Sequence, residues 1–370
     1  MSDANRVTLR KLAESTWNTT PASAMTNCRF TSESLQFDIS NIQSNEIASD
    51  RLVSDLIQTG ANSQGDVNVE FSYAAHDDLI ESLFHSTFST AVSTTGTDIS
   101  ATASGATIDS AGAGFDASLV EGQWIYVDGF TGDTSNNGWH QITGTPTTSS
   151  IAVTSTLVND AAGETVTVKS SMIRPGTTQK SFSLEKEFND KTEFFVYRGM
   201  VAGSLSLAVA AGEAMTGTFG FLGGSAAAAG STYGTGSPTA APTNDVLNGV
   251  GNIGSIREGG TALSGVYITR VSAEFNNNLR GQQAIGTLGN IAIGAGQFVA
   301  NGEITMYFEN RTIYDKYIAG TESALSFAAA DTAGNRMHFD FPRIKYSTGP
   351  IPVAGGNQDV FATFGFESIK

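Results

Sequence analysis

A histidine beside two aspartates is the first group of residues whose types could do chemistry. His76-Asp77-Asp78 combines an imidazole with two carboxylates, the groups used for general acid–base catalysis. Aspartates at the start of a helix, however, commonly serve to cap it. The remaining histidines, His85, His140 and His338, are too dispersed for a metal site. This cluster therefore predicts neither catalysis nor a bound metal.

Two other segments match ligand-binding patterns only in part. The segment Asp128 to Asn137 offers oxygen ligands for calcium but lacks the EF-hand spacing and its final glutamate. Gly249 to Gly254 spells G-x-G-x-x-G, yet prolines precede it and no helical period follows. A polar hairpin loop and a flexible loop are the simpler interpretations. The sequence thus predicts no cofactor, no metal and no enzymatic activity.

The strongest pattern in the chain is a near-repeat between its two halves. Gly65–Phe71 precedes Thr218-Phe219-Gly220-Phe221, and Gly302–Phe308 precedes Thr363-Phe364-Gly365-Phe366. Each first segment has a glycine, an acid and then apolar residues at every second position, as half-buried strands do. The wider spacing in the first half predicts an insertion there. Two copies of one β unit predict a subunit that makes two equivalent contacts in an assembly.

A short helix is predicted directly after each repeated strand. Asp77–Phe84 has two acids in its first turn and an apolar stripe, and Ile313–Ile318 occupies the matching place in the second half. Between the first helix and the rest of that unit lies a Thr/Ser/Ala/Gly-rich start and several short strand patterns with Asn-Gly and Ala-Gly turns. This insertion predicts a compact all-β module, with Trp124, Phe130 and Trp139 as core candidates.

Composition excludes several classes of protein. The 370 residues carry a net charge of −16, and only 15% of them are charged. Such an acidic chain is a poor nucleic-acid binder, since binding depends on Lys and Arg at phosphates, but DNA can slide past it without sticking. A single cysteine excludes an intrachain disulfide framework, and no leader or membrane-length apolar run is visible.

Several segments resemble one protein family in order along the chain. The start, Glu14-Ser15-Thr16-Trp17-Asn18-Thr19-Thr20-Pro21, resembles the E-x-x-W-G-x-x-P opening of tail tube (major tail) proteins of long, non-contractile-tailed bacteriophages, with Asn18 in place of glycine. Phe30–Leu35, Gly65–Phe71, Val196–Met200 and Thr216–Phe221 are similar to that family as well. The likeness covers most of the chain outside the insertion, and the order of the motifs carries it.

The resemblance implies a mainly β fold with two tandem tail-tube-type β-sandwich or barrel units, each with a short helix. The insertion is similar to small β-barrel or Ig-like modules. Tube subunits stack in rings around a channel through which double-stranded DNA passes without specific binding. The implied location is the virion tail after synthesis in the host cytoplasm. The implied partners are further copies of the chain, a tape measure protein, a tail terminator and distal tail proteins, with no membrane.

The sequence predicts five segments. They are an N-terminal arm (1–27), a first tube repeat (28–90 with 173–221), an inserted module (91–172), a linker or long loop (222–261) and a second tube repeat (262–370). Most tubes of the family place six tube domains in a ring. Two per chain then predict a trimeric ring with pseudo-six-fold symmetry, the alternative being six chains per ring.

Site residues follow from the strand pattern and the implied channel. The predicted lumen residues are Asn68, Glu70, Glu185, Glu187, Thr305 and Glu309. The opposite strand faces, with Val67, Val69, Phe71, Ile304, Met306 and Phe308, are predicted to form the core. Arg10 and Trp17 are the predicted contacts between rings. Two other classes of function compete, a secreted or cell-surface adhesive β-domain protein and, third, a carbohydrate-acting enzyme with two positioned carboxylates.

Overall fold

The chain divides into two compact units. The computed structural model describes residues 1–47, 49–254, 256–263 and 265–370. One unit comprises residues 1–85 and 177–370, and the other comprises residues 86–176. Residues 48, 255 and 264 fall in the predicted first repeat, linker and second repeat, and lie outside the described residues.

The secondary structure is mainly β. Before residue 86 the elements are β1 (Val7–Ala13), β2 (Thr26–Asn27), β3 (Ser32–Glu33), β4 (Gln36–Gln43), β5 (Leu56–Glu70) and α1 (Asp77–Phe84). The smaller unit contains β6 (Val92–Gly96), β7 (Ile99–Thr102), β8 (Thr107–Ser110), β9 (Trp124–Asp128), β10 (Gly138–Gln141), β11 (Ser150–Ala152) and β12 (Val166–Ser170). Then follow β13 (Phe182–Phe188), β14 (Glu193–Ala210), β15 (Thr216–Leu222) and β16 (Ser225–Ala229). The last elements are β17 (Arg257–Glu258), β18 (Thr261–Ala262), β19 (Ile268–Asn276), β20 (Arg280–Gln282), β21 (Ala292–Gly294), β22 (Val299–Tyr307), α2 (Thr312–Ala319), β23 (Ser323–Ala330), β24 (Arg336–Thr348) and β25 (Phe361–Ser368).

A continuous antiparallel run of eight strands, here called the central sheet, organises the larger unit. Its order is β4-β5-β15-β14-β19-β22-β25-β24. The long strands β14 and β24 extend beyond it, because their first halves pair with β13 and β23 instead. Strands β13 and β23 each pair in turn with a further strand, β1 and β17. We call β1, β13, β17, β23 and the first halves of β14 and β24 the second set of strands.

The same pairing pattern occurs twice in the larger unit. Repeat 1 comprises β1–β5, α1 and β13–β15, and repeat 2 comprises β17–β19, β22, α2 and β23–β25. In both, a bulge interrupts the pairing of the last two strands, at Ala202/Ser204 and at Tyr346/Thr348. A bulge also lies at the start of β13 and of β23. Strands β14 and β19 join the repeats edge to edge.

The repeated glycines mark close approaches between strands. A Cβ at Gly65 would lie 2.5 Å from the Ser34 carbonyl oxygen, and one at Gly302 would lie 2.3 Å from that of Ser272. The glycines of the two Thr-Phe-Gly-Phe segments, Gly220 and Gly365, face the bulges in the same way. Each meets a hydroxyl there, Ser204 Oγ or Thr348 Oγ1, at 2.4 and 2.5 Å from an added Cβ. At Gly65 and Gly302 a side chain would collide with backbone, so only glycine fits at these two positions.

Both predicted helices are confirmed. The helix α1 begins at Asp77 as predicted, and α2 occupies Thr312–Ala319. Two acids in the first turn of α1 complement the helix dipole. Each helix ends at a left-handed residue, His85 in repeat 1 and Gly320 in repeat 2, whose N–H returns to carbonyls of the last turn.

The core of the larger unit follows the predicted strand alternation except at one residue. Val67, Val69 and Phe71 are buried, as are Ile304 and Met306. Phe308, however, is 41% exposed. It lies one residue beyond β22, as the buried Phe71 lies one residue beyond β5, so the end of the strand alone does not account for its exposure.

The segments predicted to be irregular contain strands. The 1–27 arm holds β1, which pairs along its whole length with β13, and β2, which pairs with β1. The 222–261 linker holds β16, paired with β14, and β17, paired with β23. These strands are short or mixed in polarity, and partners far away in sequence stabilise them.

The smaller unit is an all-β module with its own core. Its sheets have the orders β10-β9-β12-β6 and β11-β8-β7. Ile125, Val127 and Phe130 are buried in its core, as predicted for Phe130. Trp124 and Trp139 are only half-buried. Alternation along β9 gives the inward face to Ile125 and Val127, so Trp124 takes the opposite face.

Candidate assembly surfaces

One face of the central sheet is polar and faces away from the core. We call it the polar face. On the six strands from β5 to β25 of the central sheet, it comprises Asp66, Asn68 and Glu70; Thr216, Thr218 and Gly220; Ser204, Ser206 and Ala208; Arg270, Ser272, Glu274 and Asn276; Val299, Asn301, Glu303, Thr305 and Tyr307; and Phe361, Thr363, Gly365 and Glu367. Its residues alternate with buried ones along every strand, so it is the solvated face of a half-buried sheet.

The polar face is acidic. Its five carboxylates belong to Asp66, Glu70, Glu274, Glu303 and Glu367, all of which are exposed, and Arg270 supplies its one guanidinium. A neutral hydrogen-bonded row crosses two of its strands, β15 and β5, and reaches β3, because Asn68 accepts from Thr218 Oγ1 at 2.6 Å and donates to Ser32 Oγ at 2.8 Å. A polyanion beside this surface meets like charge and few donors.

Three of the six predicted lumen residues lie on the polar face. They are Asn68, Glu70 and Thr305, and Asn68 and Thr305 occupy equivalent places in the two repeats. Glu309 is exposed but lies past the end of β22. The prediction omitted Asp66 and Glu303, although both follow the repeated glycine. The period-two pattern that selected Asn68 and Thr305 also selects these two acids.

Glu185 and Glu187 lie elsewhere, on β13. Glu185 is completely buried and forms an ion pair with Arg10 at 3.0 Å, and the same guanidinium pairs with Glu187. Glu185 also accepts hydrogen bonds from Thr232 Oγ1 and the Tyr233 N–H. These carboxylates hold the second set of strands together and are not available to a channel.

The two predicted inter-ring residues have contacts within the subunit. Arg10 is only 12% exposed because of its two glutamate partners. Trp17 is half-buried, packs over Gly199 and donates its indole N–H to the Gly199 carbonyl at 3.2 Å. A role for either residue between rings stays a prediction.

The central sheet has open edges at both ends. On one side, β4 pairs with β5 along its inner edge, and no described strand pairs with its outer edge. On the other side, the segment 349–354 continues from β24, and Thr363 N–H donates to the Pro350 carbonyl at 3.1 Å. Its opposite side has no strand partner among the described residues. Unpaired edges of this kind are templates for another chain.

The residues considered for catalysis and metal binding are used structurally. Burial, together with the charge of Lys11, lowers the pKa of His76 to about 4, so the imidazole is neutral at pH 7. Asp133 caps a short turn through the Ser135 N–H, and Asn136 donates to the Val158 carbonyl. Within the described ranges, no group of three or more His, Cys, Asp or Glu could hold a metal ion.

The Gly249–Gly254 segment is a turn. Asn248 Oδ1 accepts from the N–H groups of Val250 and Gly251, both at 2.9 Å, and no helix follows. The described helices also include none that is long and apolar enough to cross a membrane.

Comparison with known proteins agrees with this architecture. A family model described as phage tail tube protein matches residues 4–368. The chain therefore belongs to the phage tail tube protein family. It is a β-rich structural subunit of a phage tail, located in the virion. No curated protein sequence matches the chain.

Proposed function

We propose that this subunit forms the wall of a tail tube whose channel is lined by the polar face and conducts double-stranded DNA during ejection. The proposal rests on one observation, the continuous central sheet with one apolar and one acidic face. If the sheet continues around a ring, none of its edge strands is exposed. Only its apolar face then needs to be covered by other elements. The acidic face is then left for the lumen.

Acidity suits passage without binding. DNA is held by counterion release when Lys and Arg neutralise its phosphates. The polar face offers one arginine against five carboxylates, so DNA in transit finds few cationic partners. We propose Asp66, Asn68, Glu70, Glu274 and Glu303 as lumen residues.

Three chains per ring fit the doubled architecture. Each repeat contributes four strands to the central sheet, and three chains would contribute six repeats. In this proposal each repeat acts as one tube domain, and the module of residues 86–176 is an insertion in the first. Tape measure protein inside the tube, and tail terminator and distal tail proteins at its ends, are the partners expected of such a tube.

Electron microscopy with native mass spectrometry tests the proposal. Purified protein over a range of concentrations should give hollow tubes or rings, and the smallest ring should contain three chains. Six chains would preserve the function and overturn the pseudo-six-fold arrangement. Dispersed monomer at every concentration would contradict the tube function itself.

A charge reversal tests the lumen. Glu303→Lys places a cation on the polar face, whereas Glu193→Lys reverses another exposed acid at the start of β14, outside the central sheet pairing. Both tubes should assemble, and only Glu303→Lys tubes should retain DNA at low salt and release it as salt rises. Equal DNA retention by the two variants would place the acidic channel elsewhere.

A further inference from the structure

Strands β14 and β19 form the joint between the two repeats, and the inference drawn from this joint rests on the proposed function. Strands β14 and β19 pair from Ser204↔Asn276 to Ala210↔Arg270. Beyond the paired range, Asn277 N–H donates to Gly203 O at 2.8 Å, and Ala211 N–H donates to Thr269 O at 2.9 Å. Odd-numbered residues of the two strands therefore exchange the hydrogen bonds of this joint.

Equivalent residues can be read from the strand register. Ser204 pairs with Gly220 after its bulge, and Thr348 pairs with Gly365 after its own. The segment 348–354 of repeat 2 thus corresponds to 204–210 of repeat 1. On the other strand of the joint, Glu274 pairs with the residue just before Gly302. Gln36 likewise pairs with the residue just before Gly65. The segment 32–38 therefore corresponds to 270–276.

Backbone groups on the segment 349–354 alternate in the way that this joint requires. The Pro350 carbonyl accepts from Thr363, so Pro350 faces β25 inside its own repeat. Residues before proline favour extended conformations, which keeps Gly349 and Ile351 extended. In an extended segment Gly349, Ile351 and Val353 then face the open side with their N–H groups intact.

The two prolines therefore leave the open edge able to pair. Proline normally blunts an edge strand because it has no N–H to donate. Pro350 faces inward, and Pro352, two residues further along, faces the same way. Neither proline has an N–H to donate toward β25, which explains why β24 ends at Thr348.

The opposite edge of the subunit has the complementary pattern. Gln36 and Asp38 direct their backbone groups toward β5. Ser63, the β5 residue opposite Phe37, instead accepts with its carbonyl from the Gly223 N–H on the far side of β5. Phe37 and Leu35 thus turn their backbone groups outward. In the free subunit, the N–H of Leu35 donates to the carboxylate of Glu33 at 2.8 Å, which caps this edge.

Exposed apolar side chains mark the same surface. Val353 is 78% exposed, whereas its counterpart in the internal joint, Val209, is 7% exposed. Leu207, the counterpart of Ile351, is 1% exposed. The apolar residues of segment 348–354 thus occupy positions whose counterparts in repeat 1 are covered by the neighbouring strand β19.

We propose that the segment 348–354 of one subunit pairs antiparallel with the segment 32–38 of a second copy, in the register of the internal joint. Hydrogen-bonded pairs are then Gly349 with Phe37, Ile351 with Leu35 and Val353 with Glu33. Leu35 exchanges the carboxylate of Glu33 for the carbonyl of Ile351 when the subunits join.

Disulfide cross-linking in assembled tubes tests the register. In a Cys28→Ala background, Pro350→Cys with Gln36→Cys joins a non-hydrogen-bonded pair, where Cα atoms lie about 4.5 Å apart and a disulfide fits. Pro350→Cys with Asp38→Cys is the matched control, a diagonal pair about 7–8 Å apart. Mild oxidation should give covalent trimer with the first pair, at least about fivefold more than with the control. Tubes seen by microscopy with preferential linkage in the control would overturn the register and leave the tube function standing.

A single substitution gives a second test that does not depend on cysteine geometry. Val353→Asp buries a carboxylate in the proposed contact, and the control Val250→Asp changes a valine that is equally exposed, at 77%, in the turn before repeat 2. Both subunits should fold, as circular dichroism will report. Val353→Asp should raise the concentration needed for rings at least about tenfold. If Val353→Asp forms rings at the same concentration as the wild-type chain, the proposed contact is overturned. If the wild-type chain itself forms no rings, the tube function is rejected.

Discussion

The two repeats of the larger unit share one fold but differ in how completely their surfaces are covered. In repeat 1, Leu247 lies across the ends of β5 and β15, where its N–H donates to the Phe71 carbonyl and its carbonyl accepts from Met215 N–H. Phe71 is fully buried there. In repeat 2, the Phe308 N–H donates to Val360 in the same way, but no described residue takes the place of Leu247 and Phe308 is exposed. The first repeat is covered here by its own chain, whereas the second leaves the equivalent surface exposed.

Each repeat also has an ion pair between its first strand and its helix, with the charges exchanged. In repeat 1, Lys11 on β1 pairs with Asp78 of α1. In repeat 2, Glu258 on β17 pairs with Lys316 of α2 at 2.6 Å. Lys11 and Glu258 stand at the same register position opposite Leu184 and Leu325. The fold requires a strand-to-helix ion pair here but not a particular direction of charge.

The largest expected effect comes from breaking the pair in repeat 2. Lys316→Met leaves the Glu258 carboxylate, which is 5% exposed, without its cation, so we expect a loss of about 3–5 kcal/mol of unfolding free energy. Lys11→Met should cost less, because Asp78 is 42% exposed and water can solvate it. Urea unfolding of the dilute subunit measures both. Equal losses would show that the two pairs are buried alike.

The next effect concerns the seal of repeat 1. Leu247→Ala removes a side chain that is 1% exposed and should cost about 2–4 kcal/mol through lost packing and a cavity. Phe308→Ala, at the open counterpart, should change the stability of the free subunit by less than about 1 kcal/mol. Thermal and urea unfolding provide the comparison. A large loss from Phe308→Ala would mean that repeat 2 is covered within its own chain.

A pH titration separates the repeats through one histidine in each. The buried His76 has a pKa lowered to about 4, so its neutral form stabilises the fold fully above pH 6.5. Because the unfolded chain binds the proton more readily, stability should fall by up to about 3 kcal/mol as the pH drops from 6.5 toward 4. His76→Phe should remove that slope while keeping the contacts with Phe71 and Phe219.

His338 supplies the matched control in repeat 2. Burial, followed by the charge of Arg257, lowers its pKa to about 3, but part of its surface remains in water. Because the pKa of His338 is lowered further, His338→Phe should flatten the acid limb at least as much as His76→Phe does, and down to a lower pH. A smaller effect of His338→Phe would assign the acid sensitivity to repeat 1.

The smallest expected effect lies at the helix ends. Gly320 has φ of 62°, and the position that a Cβ would occupy is open. Gly320→Ala should therefore cost about 1 kcal/mol through backbone strain alone. Gly320→Asn should cost less, because asparagine tolerates the left-handed region. Repeat 1 already accepts His85 at this position with φ of 47°. No loss in Gly320→Ala, measured by thermal unfolding, would show that the conformation is not strained.

Local pattern was enough to predict the helices and the repeated strands. Alternation identified Val67 and Val69 as core, and acids followed by an apolar stripe identified α1 at its actual start. Both signals lie within a few residues of one another. The glycines of the repeat were visible as well, although the carbonyl and hydroxyl oxygens that they accommodate were not.

Features that depend on distant partners were missed. Glu185 looks like an exposed acid in sequence, and its guanidinium partner, Arg10, lies on another strand far away along the chain. The strand β1 has little pattern of its own, and its pairing with β13 orders it. Asp66 and Glu303 are a different case, because the same alternation that selected Asn68 and Thr305 also places them on the exposed strand face.

The larger unit closes tightly where the inserted module leaves and rejoins it. His85 O accepts from Thr178 N–H at 2.8 Å, so the backbone leaves and returns to the larger unit at neighbouring residues. In repeat 2 the same junction is closed by only three residues between Ala319 and Ser323. Repeat 2 therefore shows the same junction without an insertion. A foreign domain with adjacent termini should be exchangeable at this point without changing the register of a single strand in the central sheet.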